Sequence, residues 1–305
     1  MLFSLLATLQ GGGAPAAAGE SERPDVAGML LHHLLDSPEI EFQLFGVGPI
    51  IHLPQWEPVN ILGMQVNLSP TKHVVFLLLA AFLCVALFIP LARAMKGTPA
   101  GKAPKGLAAA VEALILYFRD EVVRRNIGED GDGYTGYILT LFFFILFMNL
   151  LGLVPFGSTA TGNFMVTGAL ALITLLVVEI TGMRTLGFKG YMGTIFVVPH
   201  GMHPVGAAIM VLILAPVELL GKIARPFALM VRLFANMMAG HTLVLSLMGM
   251  IFLFATVGPM RHGIAAASVT VVLAIMLLEL FVALLQAYIF AMLTAVFIGL
   301  MRHAH

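Results

Sequence analysis

Charged residues are scarce in this chain, and their scarcity indicates the class of protein. They make up 10% of the 305 residues while apolar residues make up 60%, whereas soluble domains carry about 25% charged residues. A large soluble helical core is therefore disfavoured, and the composition predicts an integral membrane protein. Acidic and basic residues are equally numerous, 16 of each, so no excess of positive charge points to a nucleic acid partner.

Cysteine and late acidic residues are also nearly absent. The single cysteine, Cys84, excludes an intramolecular disulfide, and its position in an apolar run is typical of a small core residue. Thirteen of the 16 acidic residues precede Tyr134, and only Glu179, Glu218 and Glu279 follow it. Ionisable groups are costly inside a membrane, so these three carboxyl groups need an environment or a role that explains them.

The first 71 residues differ in composition from the rest. "MLFSLLATL" and the small residues after it are similar to a signal peptide, but no positive region precedes them, so cleavage of a leader within residues 1–19 is left open. Residues 20–71 contain seven acidic residues and six prolines, which break any long helix. We expect residues 1–71 to form an extracytoplasmic segment, in which "GVGPIIHLP" and "LGMQVNLS" are either short strands or loop.

Apolar runs of about 20 residues predict helices that cross the bilayer. The first three lie at about 73–92, 134–154 and 164–183. Seven basic residues lie between Arg93 and Arg125, whereas the connection at 155–163 has none. The positive-inside rule therefore places residues 93–133 in the cytoplasm and the amino terminus outside.

Within that cytoplasmic segment, "GLAAAVEALILYFRDEVVRR" has apolar residues at helical spacing. Asp120 with Arg124 and Glu121 with Arg125 are predicted i,i+4 ion pairs. The segment is interpreted as an amphipathic helix on the membrane surface. A helix that covers a soluble partner is the alternative.

Two apolar blocks at the end of the chain are too long for upright crossings. Residues 204–257 would extend roughly 80 Å as one helix, against a hydrocarbon core of about 30 Å. That block is either broken near Pro216, Gly221 and Pro226 or steeply tilted. A turn at 258–263 precedes the last block, which ends near Met301. The predicted fold is an all-α membrane protein with five embedded helices, a cytoplasmic-side amphipathic helix and a long oblique hairpin at 204–302.

Polar residues interrupt both helices of this hairpin. Glu218, Arg225 and Arg232 are seven residues apart, and Asn236 follows one turn later, so these four share a helix face. His241 lies about 13 Å beyond Arg232 along the axis, and Glu218 lies about 21 Å before it. The spacing of Ala235 with Ala239 and of Asn236 with Gly240 allows a second helix to approach closely, within this chain or from another.

Of these groups, Arg232 costs the most free energy to place inside a membrane, and its chemistry limits its role. Arginine stays protonated, so it cannot carry protons. As a fixed cation it can lower the pKa of an opposed carboxyl group by about one to three units. Arg232 is thus suited to removing protons from carboxyl groups of a moving partner and to blocking leakage between two half-paths. Snorkelling to the interface and an ion pair with Glu279 are the alternatives.

These residues resemble a known family, subunit a of the F-type ATP synthase. "RPFALMVRLFANMMAGHTLV" and "ELFVALLQAYIFAMLTAVFIG" are similar to its two signatures, and "MNLLGLVP" and "VTGALALITLLVVEI" resemble its middle helices. The resemblance covers about residues 70–302. It implies a membrane domain at 72–305, a bacterial inner-membrane location with a cytoplasmic carboxyl terminus, and no cofactor. It also implies three sets of partners: a ring of c subunits, peripheral-stalk b subunits and the remainder of the synthase.

The resemblance also implies roles for individual residues in a stator that conducts protons through two offset half-channels. Arg232 would face the carboxylates of the ring, with Asn236 and Gln286 as polar neighbours. His241 and Glu279 would serve the outer half-channel and Glu218 the cytoplasmic one. Asn163 occupies a position where some members carry an acid, and it is a candidate for the outer entrance. Such a subunit converts proton flow into ring rotation and has no catalytic centre of its own.

The sequence supports other functions less well. A self-contained secondary transporter is the main alternative, but repeated halves with broken helices are not seen. Ser246 lacks the glycine-flanked motif of a nucleophile, and "HGMH" at 200–203 lacks further metal ligands. Lys222 and Arg225 are interpreted as interfacial anchors. No function is assigned to Glu179.

Overall fold

The computed structural model describes residues 36–41, 50–61, 64–67, 69–96, 105–154, 157–196, 204–253 and 260–303. The predicted leader and the "HGMH" stretch at 200–203 lie outside these residues. The described chain is mostly helical and the family fold is all-α, which confirms the predicted class.

Two short antiparallel hairpins precede the first helix of the described residues. β1 (Glu39–Glu41) pairs with β2 (Ile50–His52), and β3 (Val59–Ile61) pairs with β4 (Met64–Val66). Both sequence segments that were open between strand and loop therefore contain strands. The backbone N–H of Lys72 donates to the carbonyl of Ser37, which ties the start of β1 to the start of the first long helix.

Seven α-helices follow, some joined by π- or 3-10 turns. The α-helices are α1 (Lys72–Lys96), α2 (Leu107–Tyr117), α3 (Arg125–Ile127), α4 (Thr135–Leu153), α5 (Phe164–Ile195), α6 (Pro204–Leu253) and α7 (Met260–Arg302). A π-helical segment, Phe118–Arg124, joins α2 to α3, and 3-10 turns lie at Glu129–Tyr134 and Ala160–Gly162.

Four helical segments of the described chain are long and apolar enough to cross a membrane. They are Lys72–Ala94, Glu129–Leu153, Phe164–Ile195 and His262–Arg302. α6 has four charged residues in its central part and is not among them. The segments fit the first three predicted spans and the last apolar block, while five embedded helices stay a prediction.

α5 extends beyond its predicted end at residue 183. It continues to Ile195 across a kink at Gly187, whose φ of 69° and ψ of 169° are non-helical. The segment "GMRTLGFKG", which was expected to be a cytoplasmic connection, is thus mostly helical. Glycine adopts this backbone conformation without the steric cost that a Cβ would add, so the helix changes direction there and resumes.

α6 is a single helix of 50 residues with Pro216 and Pro226 inside it. A break near these prolines, one of two alternatives from the sequence, is therefore not observed. At 1.5 Å per residue the helix extends about 75 Å, which favours the tilted alternative. Residues 260–263, which were expected in a turn, belong to α7.

The predicted amphipathic helix forms, and its apolar face packs against this same chain. Phe118, Val122 and Val123 are buried, and the ring centroid of Phe118 lies 4.7 Å from that of Phe142 on α4. Covering a soluble partner is therefore not needed to explain the apolar face. A position on the membrane surface stays a prediction.

Ion pairs follow the polar side of this segment. Arg124 lies 3.3 Å from Asp120 and Arg125 lies 3.1 Å from Glu121, as predicted. Arg124 also forms a two-bond contact with Asp132, at 2.7 and 2.8 Å. Hydrogen bonding from the Arg119 guanidinium lowers the pKa of Asp120 below its usual value. These exposed pairs orient the segment but stabilise it little.

α7 lies against α4, α5 and α6, and small residues allow this packing. Ala283, Ala287, Ala291 and Ala295 form a stripe four residues apart and are at most 1% exposed. Such stripes let helices approach closely in membranes, where packing rather than water exclusion drives association. The end of α7 also packs closely, since a Cβ at Gly299 would overlap the backbone of Asn126. His303, which directly follows α7, donates from Nε2 to the carbonyl of Ile127 at 3.2 Å.

Candidate functional site

Arg232 lies on an exposed face of α6. Ala235 and Ala239, one and two turns later, are exposed on the same side, whereas Leu229, Leu233 and Met237 are buried on the other. Among the residues that the structure describes, none forms a hydrogen bond or an ion pair with Arg232. The alternative of an ion pair with Glu279 is therefore not supported. The guanidinium and a strip of small residues face outward together.

Glu279 lies on the inward side of the hairpin. Its side chain is on α7, is 8% exposed, and packs against Gly240 of α6 so closely that a Cβ at residue 240 would overlap the carboxyl group. Oε1 of Glu279 has no hydrogen-bond partner among the described residues. Because His241 follows Gly240 directly, the two residues that were assigned to the outer half-channel lie near each other. Gly240 serves packing within the chain, while Ala235 and Ala239 remain exposed.

Three polar residues extend this site toward the end of α4. A Cβ at Gly152 would lie 3.1 Å from Nε2 of His241 and 3.0 Å from Oγ1 of Thr159. The hydroxyl groups of Thr159 and Thr161 are 2.8 Å apart, and that of Thr161 donates to Oδ1 of Asn149 at 2.8 Å. All three of these polar residues are buried. The absence of a side chain at residue 152 thus leaves His241 next to a buried polar network.

The network reaches α7 as well. Nδ2 of Asn149 donates to the backbone carbonyl of Ala283 at 3.3 Å, one turn after Glu279. Asn149, Thr159 and Thr161 were not singled out from the sequence. Asn149 could have been identified from the sequence, because it is an amide inside the apolar run "MNLLGLVP". The two threonines lie in a connection and follow no helical pattern.

Asn163 lies at the amino terminus of α5, as its helix cap. Its Oδ1 accepts from the backbone N–H of Met165 at 2.8 Å, and its Nδ2 donates to Oδ2 of Asp36 at 3.3 Å. This contact joins a candidate entrance residue to a carboxyl group of the amino-terminal segment. No pattern in the sequence pairs Asp36 with this helix.

His73 is a second residue at this end that was not identified from the sequence. It is 4% exposed, its Nε2 lies 3.8 Å from Oδ1 of Asp36, and its Nδ1 lies 3.2 Å from Oγ of Ser158. A histidine at the start of the first predicted span was a visible signal. Its carboxylate partner was not, because it lies in a segment without helical periodicity.

The other half of α6 contains a buried ion pair. Nζ of Lys222 lies 3.5 Å from Oε2 of Glu179 on α5, and the Lys222 side chain is 6% exposed. Nζ also donates to Thr194 at 3.2 Å and lies 4.3 Å from the ring centroid of Tyr191, whose hydroxyl group hydrogen-bonds Glu179. The interpretation of Lys222 as an interfacial anchor was therefore wrong. Glu179 compensates its charge, which permits burial.

Glu218 is half-buried on α6, one turn before Lys222. Asn236 is also half-buried, whereas Gln286 on α7 is 5% exposed and its Nε2 has no hydrogen-bond partner among the described residues. The residues assigned by resemblance thus occupy two regions, with Arg232 between them. Measured along the axis of α6, His241 and the contact of Glu279 with Gly240 lie after Arg232, whereas Glu218 lies before it.

Ser246 does not have the surroundings of a nucleophile. Its hydroxyl group donates to the carbonyl of Thr242 at 2.6 Å, one turn earlier on α6. This is the ordinary helix-backbone contact of a serine in an apolar helix, and it disfavours a role for Ser246 as the nucleophile of an intramembrane hydrolase.

Comparison with known proteins identifies the family of this chain. Residues 74–299 match the family model described as ATP synthase A chain. The chain is 42% identical to ATP synthase subunit a of Chloroherpeton thalassium, over 88% of this chain and 75% of that protein. It is 39% identical to ATP synthase subunit a 2 of Chlorobaculum tepidum, over 97% of this chain and 80% of that protein. A relative from Anaeromyxobacter dehalogenans, also an ATP synthase subunit a, is 40% identical over 93% of this chain and 73% of that protein. The match covers every long helix, and the chain belongs to the ATP synthase A chain family.

Proposed function

We propose that this chain is the proton-conducting stator subunit of an F-type ATP synthase in a bacterial inner membrane. Two offset half-channels carry protons to and from carboxyl groups on a ring of c subunits. Passage of protons turns the ring, and the rotation drives ATP synthesis elsewhere in the complex. The subunit itself forms no bond of the product and needs no cofactor.

The exposed position of Arg232 is the observation that carries this proposal. A cation inside a membrane is costly unless it meets an opposite charge, yet no described carboxyl group of this chain pairs with it. The neighbouring Ala235 and Ala239 leave room for a second helix to approach. A helix with a mid-membrane carboxyl group, such as that of a c subunit, meets both requirements.

Arg232 would act by electrostatics rather than by proton transfer. When a protonated ring carboxyl group comes beside the guanidinium, its pKa falls and the proton leaves. The ionised carboxylate is neutralised by Arg232 until rotation carries it away. Since arginine keeps its own proton, protons do not pass directly from one half-channel to the other.

The two half-channels lie on opposite sides of Arg232. Glu279 and His241 serve the outer one, together with the buried hydroxyl and amide groups next to Gly152. Glu218, about 21 Å before Arg232 along α6, serves the cytoplasmic one. Residues 93–133 face the cytoplasm in this arrangement, and the amino-terminal hairpins face outward.

The energy for rotation comes from the membrane potential and the pH difference. Each elementary charge that crosses releases about 2.3 kcal/mol per 100 mV, so several crossings are needed for one ATP. Peripheral-stalk b subunits would hold this chain against the resulting torque.

Replacing Arg232 by alanine tests the proposal. In inverted vesicles, ATP-driven proton pumping should be lost in Arg232→Ala, while the ATPase activity of the detached soluble sector is unchanged. Arg225→Ala is the matched control, because it removes an exposed arginine from the same helix one heptad earlier. It should keep pumping, and full pumping by Arg232→Ala would refute the mechanism.

A self-contained secondary transporter remains the alternative function. It would move its substrate after reconstitution as a single purified chain. The proposed subunit needs the ring, so proton flux through the isolated chain at a rate similar to that of the whole complex would favour the transporter.

A further inference from the structure

A polar cluster at the outer end of the helices has no role in the function proposed so far. It consists of Asp36, His73 and Ser158, with Asn163 beside Asp36. The members come from the amino-terminal segment, the start of α1 and the connection before α5. The Asp36 side chain is 31% exposed and that of His73 is 5% exposed. The cluster therefore leads from solvent to a buried imidazole.

The contacts of His73 give the cluster a direction. Its Nε2 is 3.8 Å from the Asp36 carboxyl group, and its Nδ1 is 3.2 Å from the Ser158 hydroxyl group. One ring nitrogen thus faces the more exposed acid, and the other faces inward. An imidazole can accept a proton at one nitrogen while it releases the proton of the other, which makes it suited to a relay.

The cluster leads toward the buried network of the candidate site. Ser158 is followed in the chain by Thr159, whose hydroxyl group contacts Thr161 at 2.8 Å. Thr161 donates to Asn149, and Thr159 shares the space at Gly152 with His241. The Asp36–His73–Ser158 contacts and the buried network thus meet at consecutive residues of the chain, Ser158 and Thr159.

We propose that Asp36 and His73 form the outer entrance of the proton path, delivering protons by way of the hydroxyl groups of Ser158 and Thr159 to His241 and Glu279, while Thr161 and Asn149 hold the Thr159 hydroxyl group in place. This inference rests on the proposed function, since it identifies where protons enter that path. Asn163 positions Asp36 through its amide and does not carry protons.

The transfer is balanced without any further reactant. Asp36 takes a proton from the outer solution and passes it to Nε2 of His73 when their 3.8 Å separation shortens to a hydrogen bond. Nδ1 releases its proton to Oγ of Ser158, whose own proton passes to the hydroxyl group of Thr159, and the proton displaced there passes to His241 or Glu279. The ring then returns to its starting tautomer before the next transfer. No bond other than O–H and N–H bonds is formed or broken.

The same contacts would also be made by a structural clamp that holds the amino-terminal segment on α1. Rescue by added imidazole separates the two roles, because a free base can replace a missing proton carrier but cannot replace a clamp. ATP synthesis by the whole complex in inverted vesicles is driven by a potassium–valinomycin potential at equal pH on both sides. Permeant imidazole then leaves the driving force unchanged.

We expect His73→Ala and Asp36→Asn to lower the synthesis rate about a hundredfold, the lower end of the loss for a positioned proton carrier. Imidazole should restore much of the rate in His73→Ala and leave the unaltered complex unchanged. His52→Ala is the matched control, since His52 forms a similar pair with Glu39 at 3.1 Å but is exposed. It should keep the full rate.

Unchanged rates in both variants would overturn the entrance, and so would a loss that imidazole does not restore while the ring still co-purifies. If His73→Ala does not assemble, Asp36→Asn is measured with and without imidazole, and a loss that imidazole does not restore overturns the entrance. Arg232→Ala is measured alongside. Continued pumping by that variant would refute the proposed function itself, whereas its loss with normal rates in the His73 and Asp36 variants refutes the entrance alone.

Discussion

Glu279 and Gly240 lie in direct contact between the last two helices: Oε1, Cδ and Cγ of the glutamate occupy the space that a Cβ at residue 240 would need. A carboxyl group inside a membrane is thus accommodated by the absence of a side chain on the facing helix. The contact places the acid against the residue that precedes His241 in α6 and fixes which residues of α6 and α7 face each other.

Gly240→Ala should therefore impair proton conduction. The added methyl group must displace the carboxyl group or separate the helices, and either change moves Glu279 away from His241. We expect a marked loss of ATP-driven pumping in inverted vesicles. Gly221→Ala is the control, because no atom lies within 4 Å of its added Cβ in the same helix. Equal pumping by the two variants would show that the contact is unimportant.

Lys222 and Glu179 should depend on each other for stability. Removing one partner of a buried ion pair leaves an uncompensated charge, at a cost of about 3 to 5 kcal/mol, whereas removing both is far less costly. We expect Glu179→Gln and Lys222→Met each to lower the thermal stability of the purified complex, and the double variant to recover most of the loss. Additive losses would indicate that the two side chains do not interact.

Gly187→Ala should destabilise α5 through its backbone alone. The residue has a φ of 69° and ψ of 169°, a region used almost only by glycine, and the strain for another residue is about 1 to 3 kcal/mol. No atom lies within 4 Å of the added Cβ, so no side-chain clash contributes. Gly193→Ala, in the helical part with equally open space, should be neutral in the same thermal denaturation. A similar effect at both positions would argue against the kink.

The orientation can be tested with single cysteines after Cys84 is replaced by serine. Ala100→Cys should react with an impermeant maleimide only from the cytoplasmic side, since the surrounding segment is rich in basic residues. Gln55→Cys, in the exposed connection between β2 and β3, should react only from outside. The reverse pattern would invert the topology.

Hydropathy and helical periodicity predicted the helices well because each depends on residues close together in the chain. α1, α4 and the amphipathic helix lie within a few residues of their expected positions. The extension of α5 beyond residue 183 was missed because Gly187 and the basic residues nearby are typical of a loop. A single non-helical glycine between two helical stretches produces the same pattern.

Contacts between distant parts of the chain could not be predicted in this way. Lys222 looked interfacial because its partner, Glu179, lies on another helix, and His73 looked isolated because Asp36 lies in a segment without periodicity. Neither pairing leaves a pattern in local spacing. The roles of Arg232 and Glu218 came from spacing and resemblance together, and they stay predictions.

The unbroken course of α6 has a mechanical consequence. No hinge lies between Arg232 and His241, so their separation along the helix is fixed at about 13 Å. The subunit therefore holds the two residues at a constant distance. In the proposed mechanism, a rotor with a different spacing between its acids could not be matched by stretching this helix. The rotor itself would have to adjust its step, so the two kinds of subunit would be geometrically dependent on each other.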